Sequence, residues 1–273
     1  MVAIKSTARK KLGFRRSKFT ELTNSQWEDI KDFFETGRKR KNDLRMVVNA
    51  VLKITRTGTQ WRNLDEKYPP WQSVYYYFRK WKKDGIWARL LSYLVEKERI
   101  RQGRNAKASV AAVDSQSVKI GSFISMETTC VDGGKKVKGR KRHLAVDVLG
   151  LPLAMHVSSA DVHDGEGGIE LLWQLDKASD RLELIRGDGH YKGKFTECAD
   201  YYNWTVEVTK KPESQQGFVP QTQRWQVERS FGWFNFFRRL SRDFEKTVES
   251  SVTFMQLAFI DIILCPSFRS SCT

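Results

Sequence analysis

An all-helical amino-terminal unit followed by a mixed α/β unit is the fold class that this 273-residue chain predicts. Three observations predict it. Apolar residues recur at helical spacing as far as about residue 83, and β-prone runs alternate with helical ones beyond about residue 105. The charge is also divided: residues 1–110 sum to +16, the whole formal net charge, so residues 111–273 sum to zero.

In the helical unit, Thr23-Asn24-Ser25-Gln26 is a capping-box pattern, after which Trp27, Ile30, Phe33 and Phe34 share one face. Asp43 caps a second helix whose Leu44, Val47, Val48, Val51, Leu52 and Ile54 form the buried side, ending before Gly58. After Pro69-Pro70 a third helix runs from Trp71 or Ser73 to Lys83, with Val74, Tyr77, Phe78 and Trp81 inward and Asp84-Gly85 as its stop. Three helices with a tight glycine turn predict a helix-turn-helix-like module. Its last helix turns Gln72, Ser73, Tyr76, Arg79, Lys80 and Lys83 outward, residue types suited to a DNA groove and its flanking phosphates. Trp61, Trp71, Tyr77 and Trp81 are expected to pack the small core. From Glu96 to Lys107 the chain is charged and, at Gln102-Gly103-Arg104-Asn105, without apolar periodicity, which predicts a connector. The expected organisation is a basic arm at 1–20, a helical DNA-binding unit at 21–104 and a second unit at 105–273.

That second unit reads as a strand at 109–118, a long polar loop, strands at 142–149 and 152–158 and a helix at 165–178. A strand at 182–187, a helix at 193–202, a strand at 204–209, a helix carrying Glu228 and a final helix from Val252 to Leu264 follow. Three strands in antiparallel succession and then alternating helix and strand make a mixed five-stranded sheet, in which pairing of the first and fourth strands brings Asp114 and Asp188 together.

Three acids stand out by context. Ala111-Ala112-Val113-Asp114 is a β-prone run that turns polar at Asp114, and Leu184-Ile185-Arg186-Gly187-Asp188-Gly189 is a short strand ending in an acid between glycines. Glu228 lies on a helix marked by Val227, Phe231, Phe234 and Leu240, one turn from Arg224 and on the same face. Carboxylates on strand ends and a late helix suit divalent cations: Asp114 with Asp188 for one Mg²⁺ or Mn²⁺, Asp114 with Glu228 for a second ~3.5–4 Å away, stabilising the entering and leaving oxygens of phosphodiester chemistry. Lys135, Lys136, Lys138, Arg140, Lys141 and Arg142 form a basic run expected to be a loop that guides a phosphate backbone. Asp161-Val162-His163-Asp164 is loosely spaced for a metal box and reads as a helix cap.

Basic clusters at Arg9-Lys10-Lys11, Arg15-Arg16, Arg38-Lys39-Arg40-Lys41 and Arg79-Lys80-Trp81-Lys82-Lys83 point to a polyanion, bound through counterion release. No apolar run reaches the ~20 residues that span a bilayer, and the first residues are basic without a following apolar segment, so no secretory signal is expected. Cys130, Cys198, Cys265 and Cys272 form no Cys-x-x-Cys pair, which favours a reduced, cytoplasmic protein. A phosphate-cradling Gly-Lys-Ser/Thr loop is missing, so ATP is not an expected partner.

Gly133 to Asp147, Gly150-Leu151-Pro152-Leu153, Val113 to Lys119, Gly187-Asp188-Gly189-His190-Tyr191 and Arg224-Trp225-x-x-Glu228-Arg229 together resemble the DDE transposases of bacterial insertion sequences, in the "insertion sequence five" branch. The resemblance runs from about Leu22 to Phe244. It implies an RNase H-like catalytic unit, with Asp114, Asp188 and Glu228 as the metal-binding triad and Arg224 and Arg229 on phosphate or orienting Glu228. It also implies double-stranded DNA as partner, both terminal inverted repeats and target, with a homodimer holding two ends. The wider signature, Tyr-x2-Arg-x3-Glu-x6-Lys, has Gln221 and Asn235 at its first and last positions here, leaving Arg238 or Arg239 to replace the lysine. Two other readings remain: a metal-dependent nuclease without strand transfer, and a DNA-binding regulator with an inert RNase H-like unit.

Overall fold

The computed structural model describes residues 19–34, 37, 41–122, 124, 128–209 and 224–265. The basic arm up to residue 18 and Gln221 lie outside the described residues. The helical unit opens with α1 (Asn24–Ile30), where Thr23 Oγ1 accepts from Gln26 N and Gln26 Oε1 accepts from Thr23 N, the reciprocal cap expected. In α2 (Leu44–Thr57) Asp43 accepts from Arg45 N at 2.8 Å, and Gly58, at φ +72°, closes the helix in the left-handed region that a side chain disfavours. The third helix, α3 (Trp71–Lys83), has Val74, Tyr77, Phe78 and Trp81 buried. Trp81 packs on Phe34 and Trp87, while Trp61 is partly buried against Phe78 and Phe254.

Two expectations need correction here. The chain does not leave helical structure after Lys83: a two-residue turn, Asp84-Gly85, leads into α4 (Ile86–Arg101), so the charged stretch from Glu96 is mostly helix. Ile86, Trp87, Leu90, Leu91, Leu94 and Val95 give it a buried stripe, and the buried charges near its end are all bonded. Glu98 accepts from Arg101 and Gln102, and Arg99 pairs with Asp147 while donating to the carbonyls of Asn105 and Ala106. The tight glycine turn consequently joins α3 to α4, whereas residues 58–70 separate α2 from α3.

The second unit contains β1 (Val110–Lys119), β2 (Cys130–Asp132), β3 (Val137–Val146), β4 (Pro152–Ser159), β5 (Leu184–Gly187) and β6 (Thr205–Val208). One edge of β3 pairs antiparallel with β1, the other with β4 and, at its start, β2; β1 then runs parallel to β5, and β5 to β6. The sheet is mixed, as expected, with β2 added to the five strands anticipated. Its β3 begins at Val137, so the basic run is mostly strand.

Alternation along β1 sends Ala111 and Val113 to one face of the sheet and Ala112 to the other. On the first face lie α5 (Asp164–Ala178) and α6 (Lys194–Asp200), with Leu171, Leu172, Leu175 and Phe195 in the core. Against the second lie α7 (Trp225–Phe234) and α8 (Val248–Leu264). Phe254, Met255, Leu257, Phe259, Ile260 and Ile262 of α8 are fully buried, each contributing roughly 1.5–3 kcal/mol. They belong to one continuous core with α2, α3 and α4, so the boundary near residue 105 separates two kinds of architecture but not two cores.

Candidate active site

Pairing of β1 with β5 sets the site. Val110 lies opposite Leu184 and Ala112 opposite Arg186; the same offset carried two residues further puts Asp114 across from Asp188, just past the end of β5. Asp114 shares the face of Ala112, towards α7, which packs on β1 and β3. Arg224, at the start of α7, reaches both acids: its Nη2 is 3.1 Å from Asp114 Oδ2 and 3.7 Å from Asp188 Oδ2. Each carboxylate uses its other oxygen on local backbone, Asp114 accepting from Ser115 N and Asp188 from His190 N.

Burial pushes the Asp114 carboxyl up to about 6, the Arg224 guanidinium pulling it part of the way back and the nearby Asp188 charge raising it again. A group with a raised pKa is protonated below it, so divalent-cation binding at this pair is expected to weaken by up to ~10-fold per pH unit below pH 6 and to level off above it. Titration with Mn²⁺ at a series of pH values checks this; a flat profile between pH 5 and 7 would count against Asp114 as a ligand.

Tyr191 lies in the turn after Asp188, its amide donating to the Asp188 carbonyl. The ring is fully buried against Phe195 and its hydroxyl, without a hydrogen-bond partner among the described residues, is pushed well up by burial and by the charges of Asp114, Asp164 and Asp188. Gly168 of α5 makes room for this ring: a Cβ there would stand 2.7 Å from Tyr191 Cε1. In the sequence Tyr191 stands only as the end of the Gly187-Asp188-Gly189-His190-Tyr191 run, where no local pattern tells that its ring is buried beside the acids.

Among the described residues, no three His, Cys, Asp or Glu side chains are gathered closely enough to hold a metal ion. The expected cage of three carboxylates is here a pair joined by arginine, with Glu228 half-buried one turn along α7. The physical reason is charge: two half-buried carboxylates repel unless a cation lies between them, and Arg224 supplies it. The donor set still fits a hard divalent cation, because carboxylate oxygens are its preferred ligands and this pair already binds a positive charge.

The basic run differs from expectation. Arg140 and Arg142 are buried in β3: Arg140 donates to Asp243 at 3.2 Å and to the Glu245 carbonyl at 2.8 Å, Arg142 to the Leu240 carbonyl at 2.9 Å. Lys141 is also buried, pairing with Asp164 at 2.7 Å. These three are internal fasteners and are withdrawn from the DNA-facing set; Lys135, Lys136 and Lys138 are exposed. Arg239 is likewise committed, to Glu245, and Arg229 to the Leu149 carbonyl between Trp225 and Trp233, whereas Arg238 is exposed. On α3, Gln72, Tyr76, Arg79 and Lys83 are exposed and Ser73 half-buried, with Lys80 half-buried and paired to Asp84. His163 caps α5, as expected, accepting from Gly165 N.

A mixed sheet flanked by helices, with Asp114 on β1 and Asp188 just past β5 beside a late helix, fits the RNase H-like class of folds. Residues 22–91 match the family described as "Putative transposase of IS4/5 family", and residues 105–260, more than half of the chain, match "Transposase DDE domain". The chain belongs to the DDE transposases of the IS4/5 family. It is also 30% identical over 77 residues to the uncharacterized protein y4sN of Sinorhizobium fredii. That match covers 27% of this chain and 62% of the relative, so the chain spans less than two thirds of the curated relative's length. Proteins of this family act on DNA and generally use divalent metal, and no helix among the described residues is long and apolar enough to cross a membrane.

Proposed function

We propose that this protein binds the ends of an insertion sequence, cleaves them by metal-dependent phosphodiester hydrolysis and joins the resulting 3′-OH ends to target DNA. The observation that carries the reading is the convergence of Asp114 and Asp188 on one cation at adjoining parallel strands. Asp114, Asp188 and Glu228 would hold Mg²⁺ or Mn²⁺, two ions with Asp114 common to both. Bound there, the metal supplies the charge that activates water and stabilises the leaving oxygen. Asp114 is fixed by β1 and its bond to the Ser115 amide, Asp188 by the turn that Tyr191 closes, so the protein holds the ligands and excludes bulk water on the sheet side. Two ends must be held at once, which a homodimer on DNA would accomplish.

DNA contact is assigned to Gln72, Tyr76, Arg79 and Lys83, which are exposed on α3, with the half-buried Ser73 beside them, and to the exposed Lys135, Lys136, Lys138 and Arg238. Arg79→Ala and Lys83→Ala are each expected to lower the slope of log affinity against log salt by about 0.9, the signature of one lost phosphate contact. A fluorescence-anisotropy salt series measures it, and an unchanged slope in both variants removes α3 from the interface.

The function itself is tested with pre-cleaved end DNA, a target plasmid and Mg²⁺ or Mn²⁺. Joined product supports transposition; cleavage of intact ends without joining favours the plain nuclease. Binding of DNA with no metal heat by calorimetry favours a regulator.

A further inference from the structure

We propose that Arg224 is an internal counter-cation that keeps the Asp114–Asp188 pair closed to divalent metal until a DNA phosphate draws its guanidinium away. This rests on the metal-site reading above and adds regulation to it. The guanidinium lies against both carboxylates, where a metal bound to both would have to be, at 3.1 Å and 3.7 Å through the same Nη2. A single positive charge there leaves a pair of carboxylates one charge short of neutrality, whereas a divalent ion would balance them. The metal is therefore the better counter-ion, but only after the arginine has gone.

What could take the arginine is indicated by its unfinished bonding. Arg224 is buried and its Nε has no acceptor among the described residues, although a buried donor ordinarily has one. Both acids are met through one nitrogen, so the fork of the guanidinium is unused in the two-pronged manner that carboxylates and phosphates accept. A phosphodiester presents two free oxygens at matching spacing, and Arg224 is the N-cap residue of α7, where the positive end of the helix dipole also favours an anion. Phosphate and metal would then assist each other: phosphate frees the carboxylates, and metal on the carboxylates frees the arginine. Such coupling is reciprocal by thermodynamic necessity. Its consequence is a chain that binds its metal well only on DNA.

Mn²⁺ binding to the full chain, followed by electron paramagnetic resonance of the free ion, tests the idea without an activity readout. In the absence of DNA, Arg224→Ala and Arg224→Gln are expected to bind Mn²⁺ roughly tenfold more tightly than wild type, equivalent to about 1.4 kcal/mol. A short duplex carrying the element's end should tighten Mn²⁺ binding to wild type by a similar factor and leave the two variants unchanged. Equal or weaker Mn²⁺ binding in the variants, with binding lost in Asp114→Asn, would overturn the counter-cation role and leave the metal site standing. Absence of Mn²⁺ binding in every chain would overturn both. Should neither variant fold, the wild type alone decides, since a duplex that does not raise its Mn²⁺ affinity contradicts the coupling.

Discussion

Asp114→Asn and Asp188→Asn are each expected to lower end cleavage by ~10³-fold or more, about 4 kcal/mol of barrier, while leaving end binding nearly unchanged. Asp114 sits in the middle of β1 and Asp188 just past the end of β5, and each accepts from a local backbone amide, a bond that an asparagine oxygen can keep accepting, so the fold should tolerate either change. Cleavage and gel-shift assays on the same preparations separate the two effects. Asparagine retains the shape and loses the charge, so a metal held by carboxylates is released but a protein–DNA surface elsewhere is not. Glu228→Gln is the more discriminating variant because Glu228 stands apart from the pair. A loss as large as that of Asp114→Asn supports a third ligand that joins on loading; cleavage within a few fold of wild type assigns the chemistry to the two aspartates.

The second large effect concerns stability. Asp243→Ala should cost about 3–5 kcal/mol, because it leaves the Arg140 guanidinium buried without its countercharge. Asp243 also accepts from Ser251 Oγ at 2.7 Å and from the Glu245 amide at 2.9 Å, so removing it opens several bonds at once. Lys138→Ala, two residues from Arg140 and exposed, should stay within about 0.5 kcal/mol of wild type yet weaken DNA binding. Urea unfolding midpoints distinguish the two. Similar small changes in both would mean that β3 carries its basic residues outward, as the sequence first suggests.

The contrast between those variants shows what local patterning could and could not convey. Strand β1, the cap of α1 and the helix of Glu228 are legible because alternation, Thr23–Gln26 reciprocity and the spacing of Val227, Phe231 and Phe234 are all local. The basic run of β3 misleads because its partners lie about a hundred residues away: Asp243 and the carbonyls of Leu240 and Glu245 neutralise what looks like a solvated loop. The last turns of α4 mislead for the same reason, since Arg99 is matched by Asp147 in the link between β3 and β4. At the site, the two aspartates could be found from their apolar and glycine flanks. That Arg224 binds both could not, because a spacing of four residues from Glu228 predicts only that those two share a face.

The burial of α8 against α2, α4 and β4 has a metrical consequence. If α3 grips DNA as proposed, a helix seated in one continuous core with both the sheet and the helical unit would work as the frame of a calliper, one jaw being α3 and the other the Asp114–Asp188 pair. The separation between the bases gripped and the bond cut would then be a fixed length written into the protein, and moving the grip sequence by half a helical turn of DNA should displace the scissile phosphate from the jaw altogether.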